Sequence, residues 1–163
     1  MIMKILVFSD SHGDAESMRK LIERIEPETV FYLGDGMDDI LSLQEELPAL
    51  RFEIVKGNCD TVYGMPGEKL ISVGGFSFLL THGDSHFEIL EKEEITKYAR
   101  DKGASVFLHG HTHIPALWTA NGITVMNPGT VRNKHGVNYP TCGLIKTYEK
   151  HFVCRILFNA HWV

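Results

Sequence analysis

Cysteine is scarce in this 163-residue chain, and no two cysteines form a C-x-x-C pair. The three present, Cys59, Cys142 and Cys154, are too few and scattered for a disulfide scaffold or a zinc ribbon, and they suit a reducing compartment. Long apolar runs are missing too. Nothing approaches the roughly 20 residues a membrane helix needs. The opening MIMKILVFSD is too short for a signal-peptide core followed by a cleavage site. A cytoplasmic protein with no membrane partner is therefore expected. Basic charge is not in excess either: 16 Lys and Arg stand against 21 Asp and Glu, a formal net charge of -5. Unspecific nucleic-acid binding needs a basic footprint, so that mode of binding is not expected. An anionic substrate would have to be drawn by local charge, such as metal ions. Repeats, low-complexity tracts and linkers are absent, and residues 1–163 read as one domain large enough to bury a core.

What the chain has instead is apolar, strand-like runs that end in polar residues. Residues 3–9 and 29–33 and the run FEIVKGN read as strands, separated by helical patterns. Asp14 is the expected N-cap of the first helix, with Met18, Leu21, Ile22 and Ile25 at helical spacing behind it; residues 38–47 read as a second helix. Strands joined by helices imply parallel pairing, with function in the loops at the carboxyl ends. The second half is richer in strands. KLISVGG and FSFLLTHG form an expected hairpin, residues 86–102 an expected helix, and ASVFLHGH another strand-to-loop. Four further runs, from PALWTAN to HFVCRILF, read as antiparallel strands with Asn-Gly and Glu-Lys turns. The count suits an α/β fold of two sheets packed face to face with helices outside.

The polar residues at these run ends are metal-ligand types. Asp10 and His12 fall two apart in SDSH, a spacing that lets both side chains point one way. Asp35 follows Gly34 in LGDG, where a carboxylate could bridge two cations with its two oxygens. Asn58 in GNCD offers a neutral oxygen, and Asp60 either orients a neighbouring side chain or caps a turn. His82 ends FSFLL, and His109, His111 and His113 alternate in HGHTH. Three alternating histidines are hard to explain as packing, because a buried ring needs polar partners. Asp38 and Asp39 read as helix-dipole partners. NPGT at 127–130 is a tight turn whose N–H groups could hold a phosphate oxygen, and Arg132 could clamp another.

Taken in order, D-x-H, G-D, G-N-x-D, H and G-H-x-H resemble the signature of the calcineurin-like metallophosphoesterases, most of all their small prokaryotic (YfcE-like) phosphodiesterases. The resemblance implies a four-layer α/β/β/α sandwich of two mixed β-sheets flanked by helices. It implies one cation on Asp10, His12, Asp35 and His113, and a second on Asp35, Asn58, His82 and His111. Two such cations about 3.5–4 Å apart would bridge a hydroxide that attacks a phosphate diester in line. His109 matches no ligand position. Mn²⁺ is the favoured metal, with Fe, Ni, Zn or Mg as alternatives, since N/O donors select little by affinity.

The chain departs from the family pattern in one place that bears on chemistry. Many members read G-N-H-[DE], and that His is thought to protonate the leaving group; here the position is Cys59. A thiol near two cations should ionise more readily, and a thiolate is no acid. Asn58, Cys59 and Asp60 are thus the candidate catalytic residues, and diesters with good leaving groups the expected substrates. Asp84 stands where relatives often carry a His after THG, and His86 could replace it. Residues 61–68 and 131–140 are expected pocket walls. The tail His161-Trp162-Val163 suits an oligomer interface or core packing, so a homo-oligomer is possible. The rival readings are a phosphomonoesterase on small metabolites and a non-catalytic scaffold of the same fold.

Overall fold

The structure, a computed structural model, describes residues 1–85, 87–133 and 139–158. In chain order the elements are β1 (Met3–Phe8), α1 (Ala15–Ile25), β2 (Thr29–Tyr32), α2 (Met37–Glu46), β3 (Arg51–Ile54), β4 (Glu68–Val73) and β5 (Phe76–Thr81), then α3 (Lys92–Asp101), β6 (Val106–Leu108), β7 (Ala116–Ala120), β8 (Ile123–Asn127), β9 (Thr141–Thr147) and β10 (Phe152–Phe158). A single 3₁₀ turn, Phe87–Ile89, precedes α3.

The apolar runs are buried on both faces because each strand feeds two cores. In β1, Leu6 and Phe8 turn to the helices while Ile5 and Val7 turn to the other sheet. In β2, Val30 and Tyr32 face outward and Phe31 inward. The first sheet has the order β10-β9-β1-β2-β3, and the second β4-β5-β6-β8-β7. Both are mixed: β1, β2 and β3 run parallel, as do β5, β6 and β8, with antiparallel strands at the flanks. Met18, Leu21 and Ile22 of α1 and Ile40 and Leu43 of α2 seal the first sheet; Ile95 and Ala99 of α3 seal the second. Three apolar layers between four structural ones make the α/β/β/α sandwich.

Two sequence expectations need correction. The helix expected over 86–102 begins only at Lys92. Glu94 Oε2 accepts the Glu91 N–H at 2.9 Å, an N-terminal cap that starts the helix late. The four late strands are not one antiparallel set. The β7–β8 and β9–β10 hairpins form, but β8 also pairs parallel to β6 while β9 pairs with β1, so the chain changes sheets between Asn127 and Thr141. Among the described residues no helix is long and apolar enough to cross a membrane. His86, residues 134–138 of the second expected wall and the 161–163 tail lie outside the described residues.

Candidate metal centre

All seven candidate ligands stand in loops at the carboxyl ends of parallel strands, where side chains from several elements converge. Asp10 and His12 follow β1, Asp35 follows β2, Asn58 follows β3, His82 follows β5, and His111 and His113 follow β6. The first four come from one sheet and the last three from the other, so the centre lies where the two sheets meet.

The ligand atoms gather into two groups. Asp10, His12 and His113 form one, and Asp35, His82 and His111 the other, with the donor atoms of each within 4.8 Å of one another. Asn58 joins the second group: its Oδ1 lies 3.1 Å from His111 Nδ1, which is 3.2 Å from His82 Nε2. Asp35 stands between them, with Oδ2 at 3.3 Å from His82 Nε2 and 3.9 Å from His12 Nε2. His82 is almost wholly buried, and its Nδ1 meets the Leu33 carbonyl at 2.7 Å. Nδ1 therefore carries the proton, and Nε2 presents its lone pair to the group.

The donor set fits divalent cations. Asp10 Oδ2 accepts from Ser9 Oγ and the His111 N–H, but Oδ1 is buried with no hydrogen-bond partner. That oxygen faces His113 Nε2 at 3.1 Å, His12 Nε2 at 3.7 Å and His82 Nε2 at 3.9 Å. A buried, unbonded carboxylate oxygen is costly unless positive charge meets it. Backbone strain points the same way. Asp10, His12, Asp35, His111 and His113 all have positive φ, between 41° and 68°, a region side-chain-bearing residues seldom adopt. Loading the chelator-treated protein with Mn²⁺ is expected to raise its melting temperature, by about 2.7 kcal/mol of stability at 100 times Kd. A melting curve indifferent to Mn²⁺ would argue against a metal centre.

The G-D, G-N and G-H pairs have a steric cause. A Cβ on Gly57 would sit 2.1 Å from Asp35 Oδ1, and one on Gly110 would sit 2.0 Å from Ser9 Oγ. The ligand loops approach too closely there for any side chain.

Carboxylates that are not ligands hold these loops. Asp60 accepts four backbone N–H groups: Asp35 at 2.8 Å, Gly36 at 3.1 Å, Met37 at 3.0 Å and Gly57 at 2.7 Å. It thus orients backbone rather than a neighbouring side chain, and it caps the N-terminus of α2. Burial alone would raise its pKa, but the four donors together hold it below the usual carboxylate range. Asp39, which reads in sequence as a helix-dipole partner only, accepts from Ser11 Oγ at 2.5 Å and Gly13 N at 2.8 Å. Ser11 Oγ also meets Tyr32 Oη at 2.7 Å. Asp39 therefore ties the Asp10–His12 loop to α2, across 28 residues that leave no local pattern to read.

The remaining expected residues are placed less centrally. Cys59 is exposed; its N–H donates to Asp35 Oδ1 at 2.9 Å. Without cations its thiol is pushed up, first by a hydrogen bond to Asp35 and then by that carboxylate's charge, opposite to the ionisation expected beside metals. His109 stacks on Phe107 at 5.7 Å, and burial draws its pKa down to about 4, so the ring is neutral. Within the NPGT turn the Gly129 N–H is taken by Asn127 Oδ1, and just beyond it Val131 N donates to Ser9 O and Arg132 N to Thr130 Oγ1, so these three N–H groups are not directed at a phosphate. Asp84 is exposed and belongs to neither ligand group. A cleft of about 290 Å³ opens beside Asp35 and His12, walled by Cys59, Thr61 and Val62 on one side and Asp38 and Asp39 on the other. No lysine or arginine lines it among the described residues.

Residues 3–150 match the model of the calcineurin-like phosphoesterase superfamily domain. A probable metallophosphoesterase of Bacillus subtilis, YsnB, is 33% identical over 135 residues, covering 80% of this chain and 76% of its own. The chain belongs to the calcineurin-like phosphoesterase superfamily. By that membership it is a metal-dependent phosphoesterase. The phosphodiesterase MJ0936 of Methanocaldococcus jannaschii is 26% identical over 92% of this chain and 96% of its own. A conserved protein of Streptococcus pneumoniae, described as a predicted phosphoesterase, superposes with a TM-score of 0.80 at 25% identity, over 99% of this chain and 92% of its own. Vps29 of Entamoeba histolytica, solved with zinc, shares the fold alone, with a TM-score of 0.73 at 21% identity over 96% of this chain and 99% of its own.

Proposed function

We propose that this chain is a dinuclear metal-dependent phosphodiesterase acting on small diesters. The observation that carries the reading is the division of the ligands into two groups that meet at Asp35, 3.3 Å from His82 and 3.9 Å from His12. Asp10, His12, Asp35 and His113 would hold one cation, and Asp35, Asn58, His82 and His111 the other. When bound, the pair would supply Lewis acidity toward the phosphate oxygens and a hydroxide nucleophile near neutral pH. Mn²⁺ is the metal we favour, with Fe, Ni, Zn or Mg open, and the cytoplasm is the proposed setting. The phosphodiesterase name of the Methanocaldococcus relative supports diesters.

The chain's own residues orient and shield. His82 keeps one tautomer through Leu33. Asp60 and Asp39 hold the loops of Asp35 and Asp10. Among the described residues the cleft carries carboxylates and no lysine or arginine, so attraction for an anion would come from the cations. Cys59 lies on the cleft wall, but a thiol ionised beside two cations is a thiolate with no proton to give a leaving group. The departing alkoxide is then largely unassisted.

The test is a panel of aryl diesters and monoesters on the Mn²⁺-loaded protein. Diesters should be preferred, and rates should fall steeply as the leaving-group pKa rises. Cys59→His is expected to flatten that dependence and to speed the poor leaving groups most, by about 10²-fold or more. A wild type already insensitive to leaving-group pKa would sink the role given to Cys59. Preference for monoesters would favour the metabolite phosphatase. The Vps29 likeness motivates the scaffold reading, which requires that neither ester class be hydrolysed.

A further inference from the structure

The chain returns from the second sheet to the first between β8 and β9, and it does so beside the metal centre. Asn127 ends β8 in the second sheet and is 1% exposed. Its Nδ2 donates at 2.9 Å to both Gly110 O and Thr112 Oγ1, the residues on either side of His111. Its Oδ1 accepts the Gly129 N–H at 2.9 Å, which fixes the turn. Three residues on, Thr130 Oγ1 donates to the Asp10 carbonyl at 2.7 Å, and Val131 N donates to Ser9 O at 3.2 Å. Both contacts are to the first sheet's ligand loop. Thr130 is 4% exposed and Val131 is fully buried.

One short connector thus grips both halves of the centre, just where Asp10 and His111 hold left-handed backbone at φ 56° and 68°. Strained backbone persists only where its surroundings over-determine it. The Asp10, His12 and His113 group is the one whose members come from both gripped loops. The Asp35 side of the centre has supports of its own in Asp60 and the Leu33 carbonyl.

We infer that the Asn127–Val131 connector is the positioning element that registers the two ligand loops. Within it the Thr130 hydroxyl sets the cation affinity of the Asp10, His12 and His113 group. This rests on the two-metal reading. The Thr130 hydroxyl donates to the Asp10 backbone carbonyl and acts through it, as outer supports of metal ligands do.

The experiment is a Mn²⁺ titration of chelator-treated protein by calorimetry, for wild type, Thr130→Val and Thr130→Ser. Wild type should take up two Mn²⁺; fewer would overturn the two-metal reading and this inference with it. Thr130→Val keeps the side-chain shape and removes both the donor to Asp10 O and the acceptor of the Arg132 N–H, and Thr130→Ser retains both. It should weaken one of the two binding steps by about 10- to 100-fold and leave the other within a few-fold. Turnover of an aryl diester should then require more Mn²⁺, with KM unchanged once the metal saturates, and Thr130→Ser should restore the weakened step. Wild-type affinity at both steps of Thr130→Val, or an equal loss at both, would overturn the assignment. Thr130→Ala is read the same way if the valine variant does not fold. Failure of both to fold, with the serine variant intact, would make the hydroxyl purely structural and would also overturn it.

Discussion

Asp35→Asn is expected to cut diester hydrolysis roughly 10³-fold, about 4 kcal/mol of transition-state stabilisation, without unfolding the protein. Asp35 is the ligand the two-metal reading has both cations share, so its second oxygen is what a neutral amide cannot replace. Asparagine tolerates the left-handed backbone at this position, φ 63°, better than most residues. Its carbonyl can still accept the Cys59 N–H that Asp35 Oδ1 accepts now at 2.9 Å. Asp10 and Asp35 are both buried, and both reach His82 Nε2, at 3.9 Å and 3.3 Å. Removing one of two neighbouring carboxylates should therefore leave the metal-free protein no less stable than wild type. Melting with and without chelator, together with Mn²⁺ stoichiometry, checks this. A variant that retains two tightly bound Mn²⁺ and more than a tenth of wild-type turnover would refute the bridging role.

Asp60→Asn should act in the opposite way, costing about 2–4 kcal/mol of stability and activity only through position. Its carboxylate serves four N–H donors from two loops. An amide keeps one oxygen and turns an NH₂ toward at least one donor, leaving buried N–H groups without acceptors. Two of the four donors, Gly36 and Met37, are at the positive end of α2, where a negative charge is further favoured. Denaturant unfolding of the metal-free proteins gives the comparison, and a difference under 1 kcal/mol would contradict the brace. Since the Asp35 N–H is among the freed groups, Mn²⁺ affinity should also fall. Here, unlike in Asp35→Asn, excess Mn²⁺ should recover most of the turnover.

The strands and first two helices were legible because their signals are local. β1 and β2 are continuous apolar runs, and Asp14 does accept the Ser17 N–H at 3.0 Å as an N-cap. The ligand types were legible for the same reason: each follows its strand by a few residues. What failed was long-range. The 127–130 turn read as a β-turn that could also cradle an anion, but its Gly129 N–H is spent on Asn127 Oδ1. Asp39 does stand in the first turn of α2, as a dipole partner should, but sequence did not show that it also serves a loop 28 residues earlier. A short polar side chain has the same sequence appearance whether it caps its own turn or binds backbone far away.

Sequence alone determined the order of the ligand-type residues, their position at strand ends and the family to which that order belongs. It could do so because strand periodicity and the steric need for Gly beside Asp35, Asn58 and His111 are written in adjacent residues. The grouping of the ligand-type residues was implied by the family resemblance alone, and only the tertiary structure gave it a geometric basis, since Asp10 and His113 come from different sheets. It alone decided that the chain crosses between those sheets at Asn127–Thr141. The braces Asp39, Asp60, Asn127 and Thr130 likewise became visible only there, because Thr130 and Asp10 are 120 residues apart and the bond between them exists only once both sheets have packed.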